Sequence, residues 1–167
     1  MRGLSVLLSA AGIVAAFLLW RALAAAIPAD PGASSMAVRI GLALGALVPA
    51  AAVLLAMTLA QAGLRFLTGA LDPTRGGDGG LLRLNQRCIA NTVEQLVPLA
   101  VFLPAWAAGA AATDMPGILA LGSVFAVARL AFWVGYLAAP ILRAPGMAAS
   151  FAANVAAGVA TLLAWLA

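Results

Sequence analysis

The sequence contains no histidine and no lysine, a single cysteine, and charged side chains at only 8% of its positions. Each absence removes a class of chemistry. Without histidine there is no imidazole to ligate haem or zinc, and no general base of the commonest kind. One thiol, Cys88, permits neither an intrachain disulfide nor a multi-thiolate metal site within one chain. No segment interleaves a basic cluster with aromatic residues, so neither nucleic-acid binding nor a metal centre is expected.

What fills the chain instead is apolar. Of its 167 residues 65% are hydrophobic, and the mean hydropathy is +1.11. A soluble domain is usually about 25% charged and about 45–50% apolar. The apolar runs are continuous and do not alternate with period two, which excludes a β-barrel. The expected fold is an all-α integral membrane protein, one bundle with no soluble domain.

Five apolar segments mark five spans, at about 4–27, 37–67, 84–111, 117–139 and 147–166. Each supplies the roughly 20 residues a crossing requires. The breaks between them carry turn chemistry: Pro28 to Gly32, Asp72 to Gly80, Thr113 to Gly117, and Pro140 to Gly146. The second is the longest and the Gly-rich one, and reads as a mobile loop. The first segment has signal-peptide features, with Arg2 before an apolar core and Ala22 and Ala24 at cleavage-like spacing. We read it as a retained helix.

The net charge of +4 rests entirely on arginine. With five spans, Arg2, Arg65, Arg75, Arg83 and Arg143 share one side with Arg87 just inside it, while Arg21 and Arg39 lie near the other surface. The positive-inside rule then predicts an N-in, C-out orientation. Gly41-Leu-Ala-Leu-Gly45 has the small-xxx-small spacing that permits close helix approach or contact between copies.

Polar residues inside the spans are the candidates for function. Arg87, Asn91 and Glu94 (i, i+4, i+7) fall on one face of a helix at about 100° per residue, with Arg83 near the same line. A charge near the bilayer centre costs at least ~2.5–3.5 kcal/mol, so such a stripe faces helices, water or a ligand. Cys88 lies off this face and reads as a small apolar filler.

On the fourth segment Arg129, Phe132, Trp133 and Tyr136 share a second face. Arg129 needs a partner, and Glu94 is the one carboxylate within a span, so an Arg129–Glu94 pair is expected, within the chain or with a neighbouring copy. Such a pair either builds a site or simply locks two helices. Arg143, in the short Pro140–Gly146 connection, reads either as a topological arginine or as a stabiliser of an anion or thiolate. Arg83, Arg87, Arg129 and Arg143 opposed by Glu94 alone suit a small ligand with carboxylates and one ammonium. Guanidinium forks would hold the carboxylates, and Glu94 or Asn91 the ammonium.

These residues resemble a known family. Arg87-x-x-x-Asn91-x-x-Glu94 followed by Pro98 is similar to the second-helix signature of the MAPEG family, the membrane-associated proteins in eicosanoid and glutathione metabolism. Ala128-Arg129-Leu-Ala-Phe132-Trp133-Val-Gly135-Tyr136 resembles its third-helix motif, and Arg143 follows at the spacing of the arginine that activates the glutathione thiol. Asn-Thr-Val-Glu-Gln and Phe-Trp-Val-Gly-Tyr resemble a bacterial branch.

The resemblance covers about residues 40–166. It divides the chain into an extra N-terminal transmembrane helix and loop, 1–36, and a four-helix unit, 37–167. It implies a homotrimer in a bacterial inner membrane, with glutathione as co-substrate bound between subunits on the cytoplasmic side. Arg87, Asn91, Glu94, Arg129 and Tyr136 would bind it, and Arg143 would be catalytic through the thiolate. Phe132 stands where the eicosanoid enzymes have a glutathione-contacting tyrosine, Ile89 where they often have a polar residue, and Ala138 where some have another arginine. The expected activity is that of a glutathione-dependent transferase or peroxidase acting on lipophilic electrophiles. The alternatives are a non-enzymatic scaffold or accessory subunit of a membrane complex, and a small transporter using Glu94 as proton carrier.

Overall fold

A computed structural model of the chain describes residues 2–72 and 78–166. Arg75 and most of the Gly-rich break, the segment read as mobile, lie outside the described residues. Six helices account for the five expected spans: α1 (Arg2–Ala26), α2 (Met36–Ala46), α3 (Val48–Thr68), α4 (Gly80–Gly109), α5 (Met115–Ala138) and α6 (Ala144–Leu166). No strand occurs among the described residues.

The second span differs from expectation by a break at Leu47, where α2 stops and α3 begins. Pro49 is the cause. Its ring restricts the preceding residue and it lacks the N–H that a continuous helix would use. The Leu47 amide tightens onto the Leu44 carbonyl at 3.1 Å, and α3 begins at the next residue.

The bundle is arranged around α5, which touches all five other helices. Apart from Ser123, Arg129 and Tyr136 its side chains are apolar all round, as suits the central helix of a bundle. Ile118, Leu121 and Phe125 pack with Leu99 and Leu103 of α4 and Ala153 and Ala157 of α6 to form the main core. Lower on α5, Phe132 and Tyr136 form a second cluster with Met57 and Cys88, so Cys88 is the buried filler its position suggested.

Helix association in lipid gains little from hydrophobicity and depends on close packing. The sharpest contacts are made at glycines. A side chain at Gly146 would collide with the α5 backbone at Phe132 and Ala128, and one at Gly12 would collide with the Pro145 carbonyl. Gly12 thus seats α1 against the start of α6. A second tether is the Trp20 indole, which donates to the Gly117 carbonyl at 2.8 Å. By contrast Gly41 and Gly45 meet nothing within the chain and face outward from the bundle.

Two arginines stitch the loops. Arg39 donates to the carbonyls of Ala107 (2.9 Å) and Ala108 (3.2 Å) at the end of α4, and to those of Ala33 and Ser34. It places a cation where the α4 dipole is negative. Arg65 forms a two-pronged ion pair with Asp78, both contacts at 2.8 Å, which holds the end of α3 beside the start of α4.

Candidate functional site

A cavity of about 590 Å³ opens between α1, α4, α5 and α6 at the end of the bundle where α1 and α6 begin. Its lining includes Arg87 and Asn91 of α4, Phe132 and Tyr136 of α5, Arg143 from the α5–α6 connection, and Ser5 and Ser9 of α1. Met147, Ala148 and Phe151 of α6 form its apolar side. Among the described residues no carboxylate lines it. The volume falls in the range of about 300–1,000 Å³ usual for small-molecule sites.

Four residues expected at a site therefore do converge: Arg87, Asn91, Tyr136 and Arg143. The local fold explains why. Arg87 and Asn91 are one turn apart on α4. Tyr136 lies in the last turn of α5, and Ala139 breaks that helix with extended backbone before the short turn Pro140–Arg143. Arg143 is thereby folded back over Tyr136. Its Nη1 donates to the Tyr136 hydroxyl at 2.9 Å, and its Cζ lies 4.8 Å from the ring centre. One of the five guanidinium N–H groups is engaged, and the others are free for a ligand. Because the tyrosine oxygen accepts from Arg143, its own O–H remains available to donate.

Arg129 is placed differently. It is fully buried behind Phe132, with its Cζ 4.0 Å from that ring's centre. The expected partner, Glu94, is not within reach. Nη2 donates to Thr92 Oγ1 at 2.7 Å and to Asn91 Oδ1 at 3.1 Å, Nε donates to Thr92 at 3.2 Å, and Nη1 donates to Ser150 Oγ at 3.1 Å. The reason is helical phase. Thr92 faces α5, and Glu94, about 200° further round α4, is turned outward and exposed. The Glu94 carboxylate accepts a long contact, 3.4 Å, from Asn91 Nδ2.

Trp133 also leaves the expected stripe. Its indole donates to Asn85 Oδ1 at 2.7 Å, while Asn85 donates to Gln61 Oε1 at 2.8 Å and to the Met57 carbonyl at 3.1 Å. This buried network joins α3, α4 and α5 and has no part in the cavity.

The electrostatic outcome is a surplus of positive charge. The buried guanidinium of Arg129 has only neutral oxygens and an aromatic face around it. Arg143 has only Tyr136, and Arg87 has no hydrogen bond or ion pair among the described residues. Asn91 commits its oxygen to Arg129, so its amide hydrogens face outward. The arrangement fits an anion.

Sequence reasoning missed Thr92, Ser150, Ser5 and Ser9. Thr92 and Ser150 are the acceptors that allow Arg129 to stay buried. Ser5 and Ser9 stand one turn apart on α1, and their signal was that spacing on a helix with few other polar residues.

No curated protein and no solved structure matches the chain. The model of the MAPEG family matches residues 41–163, from α2 to near the end of α6, and leaves α1 outside the match. With five helices long and apolar enough to cross a bilayer, and with the family model covering most of its length, this chain belongs to the MAPEG family and is an integral membrane protein.

Proposed function

We propose that the chain is a membrane enzyme that binds glutathione in the cavity and stabilises its thiolate with Arg143, for attack on a lipophilic electrophile that enters from the bilayer. The single observation that carries this reading is the convergence of Arg87, Tyr136 and Arg143 on a cavity lined by no carboxylate. Family members generally use glutathione, an anionic tripeptide thiol. Arg87 and the Asn91 amide would take its carboxylates, with Glu94 on the α4 face beside them for the ammonium. Arg129 would act from behind, through its field and through the orientation it gives Asn91.

The chemistry begins at sulfur. A free thiol has a pKa near 8.5, and lowering it by about two units needs ~2.7 kcal/mol of differential stabilisation. Arg143 is positioned to supply a charge-assisted donor, and the Tyr136 hydroxyl, polarised by Arg143, supplies a second. Conjugation then forms one carbon–sulfur bond as the electrophile's leaving group departs with its bonding pair or, in addition to an activated double bond, as the resulting carbanion takes a proton from water. Attack of the same thiolate on a lipid hydroperoxide would break the O–O bond, releasing the alcohol and leaving a sulfenic acid that a second glutathione converts to the disulfide and water.

The exposed Arg83, Arg87 and Glu94 on the outer face of α4 support a neighbouring copy there, and we read the assembly as a homotrimer. The arginine distribution supports a cytoplasmic site and an N-in, C-out topology, in a bacterial inner membrane. On this reading residues 1–36 add a helix to the four-helix unit 37–167.

Ultraviolet titration of the purified protein with glutathione tests the proposal. Thiolate absorbance well below pH 8.5, together with conjugation of a generic electrophile, is the expected result; neither signal in a folded sample would overturn it. A non-enzymatic accessory role is the second reading, favoured by Phe132, whose ring presents no hydroxyl to the cavity. Stoichiometric association with another membrane complex and indifference to glutathione would select it. Proton transport through Glu94 has less support, because that carboxylate is exposed and is not among the residues that line the cavity.

A further inference from the structure

α1 lies outside the residues matched by the family model, yet it forms one wall of the cavity. The contact is selective. Leu4, Val6, Leu7, Val14 and Leu18 of α1 are exposed, whereas its two hydroxyl residues, Ser5 and Ser9, are half-buried and line the cavity. A helix whose only task was to anchor the chain in lipid would have no reason to place its hydroxyls on that line.

The rotation of α1 is fixed by two contacts made elsewhere on it. Gly12 is pressed against Pro145, and Trp20, eight residues on, is tied to Gly117. Ser5, Ser9 and Gly12 follow i, i+4, i+7 and so occupy one face. Seating Gly12 against the start of α6 therefore turns both serines into the cavity that Arg143 and Met147 also line. Among the described residues neither hydroxyl makes a hydrogen bond, whereas those of Thr58, Thr68 and Thr161 fold back onto their own helices' carbonyls. Two free donors thus face a cavity rich in positive charge.

We propose that Ser5 and Ser9 form a carboxylate subsite, which makes α1 a specificity wall of the binding site. This rests on reading the cavity as the glutathione site. Glutathione carries two carboxylates. One would lie on the guanidinium wall and the other across the cavity on the serine hydroxyls, which donate hydrogen bonds without adding further like charge. A binding site confined to the four-helix unit would lack this second support.

The test uses the full chain in lipid nanodiscs and isothermal titration with glutathione and with its two monoesters, each capping one carboxylate. Alanine is a better helix former than serine, so S5A/S9A should leave the fold intact. The double variant should bind glutathione about tenfold more weakly, as expected for lost hydrogen bonds to a charged group. One of the monoesters should show no such penalty, because its capped carboxylate is the one the serines hold. Ser9→Thr, which restores a hydroxyl to S5A/S9A, should recover part of the affinity. In turnover, KM for glutathione should rise with kcat little changed. Unchanged affinity in S5A/S9A, or an equal loss for glutathione and both monoesters, would overturn the subsite. If R87A and R143A abolish binding while S5A/S9A does not, the subsite alone fails. If the arginine variants also bind as the native chain does, the glutathione reading of the cavity fails with it.

Discussion

Arg143 and Arg129 carry the same charge in opposite surroundings, and substitution should separate the roles proposed for them. Arg143 is exposed and bonded to Tyr136, so its loss should leave stability nearly unchanged. We expect R143A to lower kcat/KM about a hundredfold near neutral pH, corresponding to about two units of thiol pKa. Stabilising the thiolate favours deprotonation at lower pH. The rising limb of the pH–rate profile should therefore move up toward ~8.5 in R143A, and an unmoved limb would remove Arg143 from thiol activation. Y136F should shift the limb in the same direction by less. Arg129, buried on neutral acceptors, responds differently. T92V removes the oxygen that receives two of its bonds and should lower stability by ~1–3 kcal/mol in thermal unfolding. R129M, which removes the charge itself, should be tolerated better, because replacing a buried cation with an apolar group of similar volume is often neutral. If R129M proves the more damaging variant, the guanidinium is a structural keystone and not a source of field.

At the level of helices, α1 is the element whose position matters most and whose sequence says least about it. G12L should push α1 away from Pro145, since overpacking at such a contact costs ~1–3 kcal/mol. Trp20 should then lose its bond to Gly117 and become more open to a lipid-soluble quencher, while helicity stays constant. The spans themselves were legible in the sequence. Long apolar runs separated by Pro- and Gly-containing breaks mark α1, α4, α5 and α6 closely, and the break at Leu47 was missed because Pro49 lies inside an otherwise unbroken run. The shared face of Arg87 and Asn91 was legible from helical phase, whereas the contact of Arg143 with Tyr136 was not, because it depends on how the short turn after Ala139 folds back. Nor was the partner of Arg129. Choosing Glu94 followed from charge alone, whereas the interhelical phase that selects Thr92 and Ser150 depends on how α4 and α6 rotate against α5. No property of a single helix fixes that rotation. The same limit hid the serines of α1, whose function depends on which neighbour that helix meets.

For the whole molecule, the decisive quantity is how charge and apolar surface are distributed in three dimensions. Ion pairing is satisfied at the loop between α3 and α4, where Arg65 meets Asp78, and is withheld at the cavity, where no carboxylate among the described residues lines the wall. A folded chain that holds uncompensated guanidinium groups together is under electrostatic strain that an anion relieves. If the cavity is the glutathione site proposed above, glutathione should therefore stabilise the folded protein. At a concentration a hundred times its dissociation constant, a ligand specific for the folded state adds ~2.7 kcal/mol, which should appear as a clear upward shift in the thermal transition. The shift should shrink as ionic strength rises, because the mouth of the cavity is open to solvent and the attraction is screened over about 10 Å at 0.1 M salt. An apolar thioether without carboxylates should produce no such shift, even if it partitions into the bilayer around the protein. Equal stabilisation by the charged and uncharged compounds, insensitive to salt, would mean that the bundle responds to apolar contact alone and that the arginines serve only to orient it in the membrane.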